Sequence, residues 1–226
     1  MNLYFLVEGK RTEPKVYPKW LSYLVPDLVQ VRFPDQAVKN SYYLFSGKGY
    51  PSILDNHLVN SIADVNSFGN YDYLVMCIDA DEVSVHERRT EVEKFISDNA
   101  LELKGSTKFI LIIQNRCIET WCLGNKRVFK NNPKSPTLVE YINFYNVRAN
   151  DPELMGSFDF ETHAQFHEDY LSEMLLERNI RYTKKNPNGV TDEAYLNELI
   201  LRANSSPHIE TFKDFLDFCA VIRSNI

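Results

Sequence analysis

Two stretches of the sequence decide the fold, LYFLVEG at residues 3–9 and YLVMCIDADE at residues 73–82. Each begins with an uninterrupted apolar run and then turns acidic. Continuous apolar runs of this length are typical of strands that are buried on both faces of a parallel sheet. The acids that follow would lie just beyond the carboxyl ends of the strands, where open α/β sheets place their sites. The two stretches therefore predict an α/β fold with a site at one edge of the sheet.

The rest of the first half alternates between helix and strand patterns. Apolar spacing predicts helices over 14–24, 53–62 and 84–98, and further strands over 28–33 and 109–113. Together with the two apolar runs, this gives the order βαβαβαβ. Such an order predicts a parallel, Rossmann-like sheet with helices on both faces.

The best domain boundary is a polar, helix-breaking stretch, KRVFKNNPKSP, at residues 126–136. Beyond it the spacing of apolar residues predicts a mostly helical extension, with helices over 137–146, 164–177, 192–204 and 208–222. We therefore expect a sheet-containing domain over residues 1–127. A helical extension is expected over residues 137–226.

The acids themselves favour a metal site. Asp79 and Asp81 are separated by one residue, so in an extended backbone their carboxylates lie on the same side and repel each other unless a divalent cation binds them. Glu8 and Glu13 follow the first apolar run in a similar way. The alternative is that such acids are solvated or cap helices, with Asp81 as the N-cap of a helix expected to begin near Ser84.

Composition narrows the classes of protein further. No apolar run approaches a membrane span and charges follow the first strand at once, so we expect a cytoplasmic location and no membrane partner. Four cysteines without paired zinc spacing predict reduced core thiols. His163 and His167 would share a helix face, where a solvated surface is favoured over a metal site. The net charge of −6 argues against a basic nucleic-acid clamp, but it does not exclude nucleic acid as a ligand of a metal-loaded site.

In their order, these motifs resemble the Toprim catalytic domain, which topoisomerases, bacterial primases and nucleases of the overcoming-lysogenization-defect (OLD) type share. The resemblance rests on EGKRTE at residues 8–13, DAD at 79–81 and NRCIETW at 115–121, and it extends over about residues 1–125. The Thr-Glu-Pro segment after the glycine and the NRCIETW segment are most similar to the RloB-like and OLD-type branch. A Toprim-like sheet is therefore expected.

This resemblance implies a site for one or two Mg²⁺ or Mn²⁺ ions. The implied metal ligands are Glu8, Glu13, Asp79 and Asp81. In the family, the glutamate of the first motif is also taken to be the general acid or base. Glu8 is thus the candidate for that role, and the two aspartates are candidate catalytic residues.

Two further residues become catalytic candidates through the resemblance. Glu119 matches an acid of the NRCIETW-like segment, although it could equally be a first-turn helix acid that favours the helix dipole. OLD-type enzymes also carry a phosphate-binding lysine beyond the acidic motifs. Lys184 is the candidate for it, with Lys10 and Arg11 as alternatives.

The resemblance implies a metal-dependent nuclease, a phosphodiesterase acting on DNA or RNA, with a role in antiviral (anti-phage) defence. The alternative is a non-catalytic Toprim-fold subunit that binds nucleic acid or a partner. Such nucleases are often controlled by an ABC- or SMC-like ATPase. Since this sequence contains no Gly-x4-Gly-Lys-Ser/Thr phosphate loop, we expect any such ATPase to be a separate protein.

We also expect a homo-oligomer or a hetero-complex, formed mainly through residues 137–226. The last predicted helix offers apolar residues for such a contact. A stripe at that spacing is nevertheless more often part of a core. The candidate contact residues are Phe212, Phe215, Leu216 and Phe218.

Overall fold

The computed structural model describes all residues, 1–226, and contains five strands and eight α-helices. The strands are β1 (Asn2–Val7), β2 (Val29–Val31), β3 (Ser41–Ser46), β4 (Tyr73–Asp79) and β5 (Lys108–Gln114). The helices are α1 (Glu13–Leu24), α2 (Val59–Phe68), α3 (Val85–Asp98), α4 (Ile118–Cys122), α5 (Pro136–Phe144), α6 (His163–Leu176), α7 (Glu193–Ser205) and α8 (Glu210–Ser224). A π-helical turn, Ile53–Leu58, leads into α2, and short 3-10 turns occur at Pro34–Gln36 and Pro152–Leu154.

The five strands form one parallel sheet in the order β2-β3-β1-β4-β5. β1 lies in the centre, and all six of its residues are buried, as its apolar run predicts. Phe5 of β1 pairs with Leu44 of β3 on one side and with Val75 of β4 on the other. The predicted α/β class is therefore confirmed, and the parallel sheet is consistent with a Rossmann-like fold.

β3 is a strand that the sequence pattern does not predict. Its residues, SYYLFS, are polar at both ends, and only Ser41 and Tyr42 are buried, so the segment lacks a continuous apolar run. β2 and β3 are parallel neighbours joined by residues 32–40, which contain only a 3-10 turn. Parallel pairs usually need a longer crossover with an α-helix. The observed order is therefore βαββαβαβ.

After β5 the chain forms five helices, α4 to α8, and one isolated bridge between Thr183 and Asn186. By its contacts the chain forms two compact units that interleave in sequence. The first unit comprises residues 1–78, 85–113 and 217–226, and the second comprises residues 79–84 and 114–216. The domain bounds expected from the sequence, 1–127 and 137–226, stay a prediction.

Each unit has an aromatic core of its own. In the first unit, Phe218 near the end of α8 packs edge-on against Phe5 and Tyr73, with ring centroids 6.5 and 5.6 Å apart. In the second unit, Trp121 of α4 packs against Phe212 and Phe215, with centroids 5.4 and 6.2 Å apart. All of these rings except that of Tyr73 are buried.

The prediction that apolar residues of the last helix form an intermolecular contact is therefore wrong for most of them. Phe212, Phe215 and Phe218 are buried, and Leu216 is half-buried. They serve the cores of the two units, because an apolar stripe at helical spacing satisfies the requirement for burial within the fold itself.

Three further expectations can be compared with the structure. The four cysteines are buried and form no disulfide, as predicted. The interpretation of the two histidines as a solvated face is wrong for His167, which is fully buried. None of the helices combines the length and the apolar character that crossing a membrane requires.

Candidate acidic site

Asp79 is the last residue of β4, and the loop after it is fixed by the loop after β5. The backbone N–H of Asp81 donates to the carbonyl of Arg116 at 3.0 Å, and the Arg116 guanidinium donates back to the carbonyls of Asp81 and Val83 at 3.0 and 3.1 Å. Both Asp81 and Arg116 adopt left-handed backbone, with φ of 52° and 72°. Since α3 begins only at Val85, Asp81 is not its N-cap, and that alternative is wrong.

Glu119 occupies the first turn of α4 and is only 1% exposed. The hydroxyl of Tyr182 donates a hydrogen bond to its Oε1 at 2.7 Å. A buried carboxyl group is costly unless it is hydrogen-bonded, so this tyrosine offsets part of the cost of burying Glu119. The position of Glu119 in the first turn fits the helix-dipole alternative. A dipole interaction needs no burial, however, so it does not explain why Glu119 is buried beside Tyr182.

Lys184 follows Tyr182 by two residues and provides a positive charge near Glu119. Its Nζ lies 3.2 Å from Oε2 of Glu168 on α6. Burial alone would lower the pKa of Lys184, but the negative charges of Glu119 and Glu168 raise it above its ordinary value. Lys184 therefore remains protonated at neutral pH.

The charges of Asp79, Glu119 and Lys184 all affect the pKa of one buried group, the thiol of Cys117. Burial raises the pKa of the Cys117 thiol, and the charges of Glu119 and Asp79 raise it further, whereas the hydroxyl of Thr120 and the charge of Lys184 oppose that rise. Cys117 is thus a neutral thiol rather than a nucleophile. Three charged residues from three segments of the chain thus influence the pKa of the same thiol.

A neutral hydrogen-bond chain leads from Cys117 into α6. The N–H of Cys117 donates to Oγ1 of Thr120 at 3.3 Å, and that hydroxyl lies 2.7 Å from Nδ1 of His167. Burial lowers the pKa of His167 to about 4, so the ring is neutral at pH 7. Nε2 lies 3.3 Å from the carbonyl of Gly156, which can only accept. The proton therefore lies on Nε2, and Nδ1 accepts from Thr120.

Glu8 and Glu13 form a second pair of carboxylates, in the first unit. They are only 8% and 5% exposed. Oε1 of Glu8 accepts from the backbone N–H of Tyr50 at 3.2 Å, and Oε1 of Glu13 accepts from that of Gly9 at 3.0 Å. The backbone N–H of Gly49 donates to the carbonyl of Glu8 at 2.9 Å. Backbone N–H groups thus orient both carboxylates.

The glycine of the first motif has a steric reason. A Cβ placed on Gly9 would lie 1.9 Å from Oε2 of Glu13 and 2.4 Å from its Cδ, so the end of the Glu13 side chain would have to move. Any other residue at this position would displace the Glu13 carboxylate. The Glu8-Gly9 pair and Glu13 therefore form one local structure in the first unit.

The predicted metal ligands are divided between the units. Glu8 and Glu13 belong to the first unit and Asp79 and Asp81 to the second. The structure contains no group of three or more His, Cys, Asp or Glu residues that could hold a metal ion. Asp79 and Glu119 nevertheless offer the chemistry that Mg²⁺ accepts, since this ion commonly takes one or two carboxylates and completes its shell with water and phosphate oxygens. The four-carboxylate ligand set stays a prediction.

Several residues that form these surroundings were not found from the sequence. Tyr182, Thr120 and His167 are each paired with a residue that only the fold brings near. For Tyr182 the available signal is its position two residues before Lys184. The Gly-bearing segment SGKGYP at residues 46–51 indicates only a turn, yet its backbone binds Glu8.

Comparison with protein-family models, with curated proteins and with solved structures gave no match to this chain. The case for a function therefore rests on the side chains described above and on the resemblance of the motifs.

Proposed function

We propose that this protein is a Mg²⁺- or Mn²⁺-dependent nuclease of the Toprim type that hydrolyses phosphodiester bonds in DNA or RNA. One observation carries the proposal: the buried carboxylate of Glu119 accepts a hydrogen bond from Tyr182, two residues before Lys184, and Lys184 is itself ion-paired with Glu168 at 3.2 Å. Carboxylates that can hold a divalent cation, together with a protonated lysine, are complementary to a phosphodiester.

Each of these residues has a role that its environment supports. Asp79 and Glu119 would hold the divalent ion through their oxygen atoms, and the ion would supply charge neutralisation at the phosphate and activation of water. Lys184 keeps its proton and binds a non-bridging phosphate oxygen. The hydroxyl of Tyr182 orients Glu119, which keeps the carboxylate from turning away from its ligand.

The Toprim resemblance implies that three other acids serve the same chemistry. Glu8 is the candidate general acid or base, held by the N–H of Tyr50, and Glu13 and Asp81 are candidate metal ligands. Glu8→Gln preserves the hydrogen-bond acceptor of Glu8 and removes its charge, so this variant separates a chemical role from a structural one.

Metal-dependent cleavage tests the proposal. Labelled single- and double-stranded DNA and RNA are incubated with Mg²⁺, Mn²⁺ or EDTA. We expect cleavage only with metal, and a loss of about 100-fold or more in Asp79→Asn and Lys184→Met. Asp27→Asn, an exposed acid after α1, is the matched control and should cleave normally. Asp79→Asn cleaving as fast as the unaltered protein would overturn the assignment.

A non-catalytic subunit that binds nucleic acid or a partner is the second candidate. The observation that favours it is the lack of a group of three potential metal ligands. Calorimetric titration with Mg²⁺ and Mn²⁺ separates the two candidates, because the catalytic one requires binding that is lost in Asp81→Ala. Binding of nucleic acid with no metal binding would support the non-catalytic candidate.

We further propose a role in antiviral defence, under the control of a separate ABC- or SMC-like ATPase and with self-association through residues 137–226. The support is the resemblance to the RloB-like and OLD-type branch. Light scattering of the purified protein and co-purification from its native host test these partners. A monomer that recovers no ATPase would contradict both.

A further inference from the structure

One cavity of the second unit is lined by direct partners of the candidate catalytic residues. It has a volume of about 250 Å³, and two of its lining residues are Tyr182 and Glu168. Tyr182 donates to Glu119, and Glu168 pairs with Lys184. A group bound in this cavity would therefore lie one side chain away from the residues proposed to act on the phosphate.

The cavity has an aromatic wall. Phe160, which lines it, is half-buried, and its ring lies 5.5 Å from the ring of Phe166 and 6.3 Å from that of Tyr141. These neighbours fix the ring, so it can support a flat ligand without first losing conformational freedom. The volume is below the range of about 300–1,000 Å³ that drug-sized ligands occupy, and it suits a single planar heterocycle.

The polar lining selects for hydrogen-bond donors. Glu168 and Asp169 contribute carboxylates, which only accept, and Gln165 contributes an amide. The hydroxyl of Tyr141 donates to Oδ2 of Asp169 at 2.7 Å and fixes that carboxylate in place. A carboxylate accepts a hydrogen bond from an amino group, such as N4 of cytosine.

We infer that this cavity receives one unstacked nucleobase that carries an exocyclic amino group, next to the phosphate bound by Lys184. The substrate is then single-stranded, because the amino group of a paired base already donates to the opposite strand. Cytosine fits better than thymine or uracil, which present a carbonyl oxygen where cytosine presents an amino group. This inference rests on the proposed function for the identity of the ligand.

Fluorescence anisotropy of short labelled homopolymers in EDTA tests the inference without any cleavage. We expect oligocytidine, as DNA or RNA, to bind about tenfold more tightly than oligothymidine or oligouridine. Phe160→Ala should weaken binding of both by about tenfold, because the stacking surface is lost. Asp169→Asn should reduce the preference for cytosine, since an amide offers donors as well as an acceptor.

Phe144→Ala is the matched control. Phe144 belongs to the same group of rings, 5.6 Å from Phe166, and is 45% exposed, but it does not line the cavity. The Phe144→Ala variant should bind the labelled homopolymers as tightly as the unaltered protein does. If Phe160→Ala fails to fold, Phe160→Leu keeps most of the packing and removes the aromatic face.

Equal binding of oligocytidine and oligothymidine, or equal effects of the Phe160 and Phe144 variants, would overturn the inference. Its failure can be distinguished from failure of the proposed function. Base preference in a protein that cleaves nothing contradicts only the nuclease, whereas metal-dependent cleavage without base preference contradicts only the base pocket.

Discussion

The buried acids near the predicted site are held in different ways in the two units. In the first unit, backbone N–H groups of nearby loops orient Glu8 and Glu13. In the second unit, the side chain of Tyr182 binds Glu119, and Lys184 balances its charge. The first arrangement depends on the path of the backbone, so changes of backbone shape should disturb it most. The second depends on side chains and should respond to the loss of a single hydroxyl or charge.

Gly9→Ala should give the largest effect. The added Cβ would lie 1.9 Å from Oε2 of Glu13, so the carboxylate must leave the N–H that it binds. We expect the free energy of unfolding to fall by about 3 kcal/mol in urea titrations. Gly156→Ala is the control, because a Cβ there meets only Cζ of Phe144 at an ordinary 3.5 Å, and it should cost less than about 1 kcal/mol. Similar losses in the two variants would contradict the steric argument.

A pH-dependent effect of intermediate size is expected at Glu153, another buried acid of the second unit. Burial raises the pKa of Glu153 to about 7, although hydrogen bonds from Thr211 oppose the rise. Between the ordinary pKa of a glutamate, about 4.3, and the raised value, the folded state binds more protons than the unfolded state. Ionisation of Glu153 therefore lowers the stability as the pH rises through this window.

Glu153→Gln isolates this contribution. The difference in unfolding free energy between the unaltered protein and the variant should fall by roughly 2–3 kcal/mol from pH 5 to pH 8. The neutral, buried His167 acts in the opposite direction below its ordinary pKa, but it is present in both proteins and cancels in the difference. A difference that does not change with pH would show that Glu153 is ionised throughout.

Tyr182→Phe should have a smaller effect that is specific to the second unit. It leaves the Glu119 carboxylate buried without its tyrosine donor, and we expect a loss of about 2 kcal/mol in stability. Tyr195→Phe is the matched control, since its hydroxyl binds the neutral carbonyl of Cys122 at 2.7 Å, and about 1 kcal/mol is expected there. An equal loss in both would indicate that the charge of Glu119 adds nothing to its hydrogen bond.

Glu119→Gln should produce the smallest change in stability, and the charge that it removes can be followed through the chemical reactivity of Lys184. The variant removes a negative charge that raises the pKa of Lys184, so more of the lysine becomes neutral at a given pH. Acylation at pH 9, followed by mass spectrometry, should proceed faster at Lys184 in the variant. Lys130, which pairs with Glu177, is the internal reference and should react at an unchanged rate.

The sequence best predicts those elements that consist of one unbroken apolar run. β1 and β4 are found because each is an unbroken apolar run, and the acids after them are visible for the same reason. β3 is missed because SYYLFS is polar at its ends and only partly buried, although it pairs with β1 along its whole length. Strand pairing of this kind depends on partners that no local pattern reveals.

The residues of the candidate site show the same difference between contacts within a short stretch and contacts across the sequence. Glu8, Glu13 and Gly9 lie within six residues, so a short motif describes their arrangement. Tyr182 meets Glu119 across 63 residues of sequence, and His167 meets Thr120 across 47. Lys184 is predicted only through the family resemblance, and the burial of His167 contradicts the pattern on its own helix. Pairings over such distances follow from packing, which side-chain periodicity does not specify.

Because the two units interleave in sequence, the first unit cannot fold independently of the second during synthesis on the ribosome. Phe218 packs against Phe5 in the first unit, although it lies 213 residues later in the sequence (218 − 5). Domains usually fold in the order in which they emerge from the ribosome. Here the first unit, which contains the sheet, cannot complete its core until the second half of α8 has been synthesised. A chain released early would expose apolar surface and be a target for degradation.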